Sequence, residues 1–375
     1  MRILIAPDKF KGTLSAREVG EAIAAGLREV LSEATIDIVP MADGGEGTAE
    51  VISSALGGEW VECKAHDPLG RQIETRYGWI EKQKLAVMEM SEAAGMRRLP
   101  EELRDPSIAT TFGVGEMIVY AHRRGAAQIV IGLGGSATND GGFGMARAMG
   151  FRFFDAKRAH ELRTGIEKLI NLAQIDKPQH LSLPKILAAV DVKNPLLGVD
   201  GATRVFGPQK GVTPDKIEMF ERALTRLADV VAKGFGFDYR NQTGAGAAGG
   251  LGFGLMSFCG AKIWPGFQVV AEAIGLESKM KDVDLVITGE GSLDRQTLEG
   301  KTPAAVAQLA RKLGKRVFAF VGRAAEDRQV RELFDGVYQN ARPEMTTEEN
   351  MKRAAELLRD SARQLANELN KICDA

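Results

Sequence analysis

An alternation of short apolar runs, glycine-bearing acidic turns and amphipathic helices restricts what this chain can fold into. Arg2 to Ala6 reads as a strand ended by Pro7. Ser15 stands where a helix cap is expected, and Val19, Ile23, Ala24 and Leu27 follow at helical spacing. Ile36 to Met41 reads as a second strand. Ala42-Asp43-Gly44-Gly45-Glu46-Gly47 follows it, and a helix is expected to begin near Thr48. Strand, helix and strand in this order imply a parallel sheet whose loops gather at the carboxyl ends of the strands.

The C-terminal third repeats the pattern. Asp284 to Thr288 reads as a strand, and Gly289-Glu290-Gly291-Ser292-Leu293-Asp294 as its loop. Pro303 lies early in the next helix, where proline is tolerated. Arg316 to Val321 and Gly336 to Asn340 read as further strands, and Thr346 or Thr347 as the cap of a long final helix.

The middle differs. Val61 to Met90 alternates apolar and polar residues, as antiparallel strands do. Ile129 to Gly132 and Ile186 to Val190 read as buried strands, and Gly244 to Gly254 is a second glycine-dense tract. The expected class is α/β with two domains. Residues 1–60 plus 284–375 form a parallel-sheet domain from both chain ends, and residues 61–283 form an inserted mixed α/β domain. The length of 375 residues fits two domains.

A net charge of −1 provides no global field for nucleic acid or an anionic membrane. No stretch approaches the roughly 20 apolar residues a membrane helix needs. Cys63, Cys259 and Cys373 are far apart and form no metal-binding spacing. Sparse, odd-numbered cysteines fit a reducing compartment, so the cytoplasm is expected. Self-association is left open.

Four loops concentrate glycine beside acidic or hydroxyl residues. They are Asp8 to Thr13, Ala42 to Thr48, Gly132 to Gly142, and Gly289 to Asp294 running on to Gly300-Lys301-Thr302. Glycines let backbone N–H groups turn toward an anion, carboxylates can hold Mg²⁺ beside phosphate oxygens, and lysines neutralise phosphate or carboxylate. Phosphoryl transfer needs these parts together.

Other glycine-rich chemistries compete. The phosphate-loop pattern fails around Gly300-Lys301-Thr302, because its upstream glycine position is Arg295. Gly132, Gly134 and Ala137 meet the dinucleotide fingerprint, with Asp155 near the distance of a ribose ligand. Against it, Gly141-Gly142 falls where the first helical turns should be, at a cost of about 2 kcal/mol. Gly244 to Gly249 matches the same fingerprint without a convincing strand before it. His66, His122, His160 and His180 are scattered, and no G-x-S-x-G elbow occurs. A nicotinamide-dependent oxidoreductase of a small hydroxy acid and a non-catalytic nucleotide-binding module therefore stand beside a kinase.

Together the loops resemble the bacterial glycerate kinase family. The matching stretches are Ala6 to Gly12, Pro40 to Thr48, Gly132 to Gly142, Asp191-Val192-Lys193-Asn194-Pro195-Leu196, Val205 to Gly211, Gly244 to Gly252, and Ile287 to Asp294. They cover nearly the whole chain in order. The resemblance implies Mg²⁺-dependent transfer of the ATP γ-phosphoryl group to D-glycerate, giving 2-phosphoglycerate and ADP in an interdomain cleft. It also implies a flavodoxin-like domain built from both chain ends. Where the family commonly carries serine before Phe10, this chain has Lys9, so no hydroxyl role carries over to that position.

On this reading Asp191, after an apolar run, is the base or aligner for the acceptor hydroxyl, with Lys11 and Asp43 in the catalytic set. Asp8, Lys9, Lys210 and Asn194 are expected to hold substrate. Gly134, Gly135, Ser136, Thr138, Asp140, Gly289, Gly291 and Ser292 are expected to hold ATP. Glu290, Asp43 and Asp294 are the expected Mg²⁺ carboxylates.

Overall fold

The computed structural model describes residues 1–158, 161–293, 301–325 and 327–373. The chain opens with β1 (Arg2–Pro7) and β2 (Thr35–Ile38). The middle adds β3 (Glu59–His66), β4 (Gln72–Ile80), β5 (Leu85–Glu89), β6 (Gln128–Gly132), β7 (Arg152–Asp155), β8 (Leu172–Asp176), β9 (Lys185–Val190) and β10 (Lys262–Pro265). It closes with β11 (Leu285–Leu293), β12 (Arg316–Ala324) and β13 (Gly336–Gln339).

These strands divide between two compact units. Residues 1–43 and 267–375 form the first, around a five-stranded sheet of order β13-β12-β11-β1-β2. Its neighbouring strands are all parallel. Numbered within the unit, the order is 2-1-3-4-5, the flavodoxin-like arrangement. The helix Ala16–Arg28 has the expected cap: Ser15 Oγ accepts from Glu18 N, and the Glu18 carboxylate accepts from Ser15 N. Val19, Ile23 and Leu27 join Leu358, Leu365 and Leu369 of the terminal helix Ala354–Cys373 in the core.

Local readings shift in three places. β2 is shorter than expected, ending at Ile38. The stretch Gly289 to Leu293 is strand rather than loop, because it keeps pairing with β12 through Ser292 opposite Arg323 and Leu293 opposite Ala324. Thr346 caps a separate short helix, Thr347–Lys352, which ends at Arg353 before the terminal helix begins.

Residues 44–266 form the second unit, around a six-stranded mixed sheet of order β10-β9-β6-β5-β4-β3. β5, β6, β9 and β10 run parallel, while β3 and β4 add antiparallel edge pairing. Trp79, Tyr77, Phe153, Phe220 and Phe253 are fully buried in its core. The unit boundaries fall after Asp43 and Gly266 rather than after residues 60 and 283. The helix Thr48–Leu56 packs on β4 and β5, which draws it into the second unit. No helix among the described residues is long and apolar enough to cross a membrane.

Candidate active site

In the first unit, the carboxyl ends of the parallel strands wall a cavity of about 550 Å³. In a 2-1-3-4-5 sheet the crevice lies where strand order reverses, here between β1 and β11. Asp8, Lys9 and Lys11 follow β1, Asp43 follows β2, and Glu290, Gly291 and Ser292 belong to the end of β11; all line the cavity. Asp8 is buried. Its Oδ1 accepts from Lys9 N at 2.7 Å, and its Oδ2 accepts from Thr302 Oγ1 at 2.6 Å. Burial, and then the negative charge of Asp43, push its carboxyl from 3.8 up to about 6, against the pull of Thr302 and Lys9.

Residues outside the expected set complete this wall: Lys301, Arg323, Asn340 and Asn350. Lys301 sits inside the discarded phosphate-loop pattern, as N-cap of the helix Thr302–Lys312. Arg323 and Asn340 mark the ends of β12 and β13, so the rule that ligands gather at strand ends was a usable signal. Asn340 donates from Nδ2 to Val321 O at 3.0 Å, while its buried Oδ1 has no hydrogen-bond partner among the described residues. Phe10, Met351, Ala354 and Leu357 provide an apolar part of the same cavity.

A smaller cavity of about 190 Å³ lies in the second unit. Gly44 and Gly45 form one wall, and Leu133, Gly134, Gly135 and Ser136 another. These backbones pass so closely that a Cβ on Gly134 would lie 2.6 Å from the Gly45 Cα. Gly44 also needs its left-handed φ of 94°. Glu89, at the end of β5, fixes the Gly44 to Gly47 segment. Its Oε1 accepts from Gly47 N at 2.8 Å and Ala49 N at 3.2 Å, giving the helix Thr48–Leu56 the cap its own N-cap glycine lacks. A lone acid within the run Leu85 to Met90 was the signal for it.

Among the described residues, Asp191 and Lys210 are the charged side chains lining this cavity. Asp191 follows β9 and is exposed. Lys210 is 2% exposed, and its Nζ donates to Thr138 O at 2.8 Å. Burial lowers its pKa from 10.5 to about 7, with Asp140 pulling the other way.

Four expected ligand residues do not line either cavity. Asp140 is buried and accepts from Thr111 N, Thr111 Oγ1, Gly142 N and Gly144 N, so it caps the helix Phe143–Ala148. Thr138 reaches Lys210 through its carbonyl. Asn194 donates to Asp200 O at 2.8 Å, closing its own turn. Gly289 is a strand residue whose carbonyl accepts from Asp8 N. Asp294 lies outside the described residues.

The dinucleotide alternative loses its geometry. That fingerprint needs a helix opening at its glycines, but the helix after β6 starts only at Phe143. Asp155 ends β7 in a separate two-stranded sheet with β8, away from the strands that flank β6. Among the described residues no cluster of three or more His, Cys, Asp or Glu side chains is arranged for a metal ion. Mg²⁺ needs fewer, since it takes one or two carboxylates plus substrate phosphates.

The model of the glycerate kinase family matches residues 3–370. A glycerate kinase of Halalkalibacterium halodurans is 40% identical over 369 residues, covering 97% of each chain. A glycerate 2-kinase of Escherichia coli K12 is 42% identical over 330 residues, covering 87% of this chain and 86% of its own. The crystal structure of a candidate glycerate kinase 2 from Salmonella typhimurium LT2 superposes with a TM-score of 0.89 at 41% identity, over 100% of both chains. Two glycine-walled cavities, one rich in carboxylates and cations, thus sit in a chain that belongs throughout its length to the glycerate kinase family, a family of kinases.

Proposed function

We propose that this chain transfers the γ-phosphoryl group of ATP to D-glycerate in a Mg²⁺-dependent reaction, giving 2-phosphoglycerate and ADP. The observation that carries the proposal is the gathering of Asp8, Asp43 and Glu290 with Lys9, Lys11, Lys301 and Arg323 around the 550 Å³ cavity. Phosphoryl transfer asks for positioning and charge neutralisation, and these side chains are of the kinds that provide both. The cavity's size is within the roughly 300–1,000 Å³ of small-molecule sites. Its apolar residues suit a purine and its charged residues a triphosphate.

The negative charge of Asp43 already raises the Asp8 pKa, a field that favours a cation. Asp43 and Glu290 are the proposed Mg²⁺ carboxylates. When bound, the ion would neutralise charge on the phosphate oxygens.

The 190 Å³ cavity suits the acceptor. Asp191 takes the proton from the glycerate hydroxyl as that oxygen bonds to the γ-phosphorus, the bond from phosphorus to the bridging oxygen breaks, and ADP leaves. Gly134 and Gly135 line this cavity, and their backbone N–H groups would serve an anionic oxygen on the acceptor or the transferring group. A cytoplasmic setting belongs to the same proposal and rests on the sparse, free cysteines Cys63 and Cys259.

A coupled assay for ADP release tests it, over D-glycerate, L-glycerate and D-lactate, with Mg²⁺ and after chelation. The expected result is turnover with D-glycerate that stops in chelator and returns with Mg²⁺, and phosphorus coupling to the C2 proton of the product. NADH binding without ATP-dependent product formation would overturn the proposal in favour of the oxidoreductase. ATP binding with no phosphorylated acid would favour a nucleotide-binding module.

A further inference from the structure

We infer that Lys210 is the receptor for the acceptor's carboxylate, and that it binds this group by taking up a proton from solvent. The inference rests on the proposed kinase reading and deepens it by assigning the acceptor's recognition. Among the described side chains lining the 190 Å³ cavity, Lys210 is the one cation and Asp191 the one carboxylate. A 2-hydroxy acid presents the complementary pair, a carboxylate and a hydroxyl.

Lys210 is held in place from several sides. It ends the short 3₁₀ turn Pro208–Lys210, which Gly211 closes at a left-handed φ of 102°. Its Nζ spends one donor on Thr138 O, leaving further N–H groups for a ligand. The charged groups around it are few. Asp140, from the loop after β6, is engaged by Thr111, Gly142 and Gly144. Asp191, after β9, lines the same cavity. Arg204, on the helix Ala202–Phe206, is paired with Glu218, and Arg97, next to Met96 of the wall, is paired with Glu92. The adjacent helix Ala247–Cys259 carries no charged residue.

A buried amine in this setting lacks water to solvate its charge, which is why its pKa falls to about 7. An arriving carboxylate replaces the missing solvation and favours the ammonium form. As pH rises above about 7 the proton taken up per acceptor climbs toward one, and affinity declines. A neutral molecule such as glycerol gains nothing from Lys210.

Calorimetric titration of the full chain with D-glycerate tests the assignment, in two buffers of different ionisation enthalpy, at pH 6 and pH 8.5. Proton uptake should be near zero at pH 6 and approach one proton per ligand at pH 8.5. Lys210→Met should weaken D-glycerate binding by about 10- to 100-fold, remove the proton uptake and leave ATP binding unchanged. Lys210→Arg should restore binding in part, without proton uptake, because a guanidinium does not titrate in this range. Buffer-independent heats at both pH values in the wild-type chain would overturn the inference without any variant. So would a folded Lys210→Met chain with wild-type affinity, and in either case the kinase reading would stand. A wild-type chain that neither binds nor phosphorylates D-glycerate would overturn both.

Discussion

Replacing Asp8 with Asn should make the ligand-free protein more stable and less active. The Asp8 carboxyl is pushed from 3.8 to about 6 by burial and by Asp43. Each pKa unit corresponds to about 1.4 kcal/mol, so at pH 7 the ionised side chain costs the fold about 3 kcal/mol. The sign follows from proton binding. Between pH 3.8 and about 6 the folded state keeps a proton the unfolded state has lost, so stability falls as pH rises through that window and is level above it. Asn has the shape of the neutral acid, can accept from Lys9 N and can donate to Thr302 Oγ1. The gain from Asp8→Asn should therefore be about 2–3 kcal/mol at pH 7 and shrink to about 0.5 kcal/mol at pH 4. Far-UV circular dichroism during urea unfolding, with hydrogen exchange in β1 and β11, would measure it. Tryptophan fluorescence would not, because Trp60, Trp79 and Trp264 all lie in the second unit. Turnover should fall in the same variant, since a negative charge that favours the proposed Mg²⁺ is gone. A variant less stable than wild type at pH 7, or a gain equally large at pH 4, would refute the reasoning.

Asp191→Asn should lower kcat by about 100-fold or more with an unchanged melting temperature, because it removes an exposed group assigned to proton transfer; near-normal steady-state turnover would remove that role. Gly134→Ala should destabilise the second unit by about 1–3 kcal/mol and raise the KM for glycerate, since its Cβ would meet the Gly45 backbone at 2.6 Å; unchanged thermal unfolding and KM would show that the two loops yield to each other.

The α/β class and the parallel end strands were legible because they depend on local signals. Ser15 with Glu18 marks a helix start, apolar runs mark buried strands, and alternation between Val61 and Met90 marks the antiparallel edge. Cavity-lining residues were legible where they lie in turns after strands. Asp8, Lys11, Asp43, Gly134, Gly135, Asp191 and Lys210 all reached cavity walls. Two expected ligand residues that line neither cavity share a reason. Asp140 and Asn194 have the composition of ligand loops, but their polar atoms are used by Thr111, Gly142, Gly144 and Asp200. Which hydrogen bonds a polar side chain makes depends on how its turn folds and, for Asp140, on Thr111 from 29 residues away, and spacing does not report it.

The order of glycine-rich acidic segments along the chain was thus enough to determine fold class and family, and it pointed to residues that line the two cavities. Only the tertiary structure decided that Gly289 to Leu293 continues as strand, that Arg323 and Asn340 join the larger cavity, and that Lys210 is buried. The physical reason is the range of the forces involved. Capping, turn geometry and apolar periodicity act over a few residues. Desolvation and charge–charge fields, which set the protonation of Asp8 and Lys210, are created by residues brought from across the sequence.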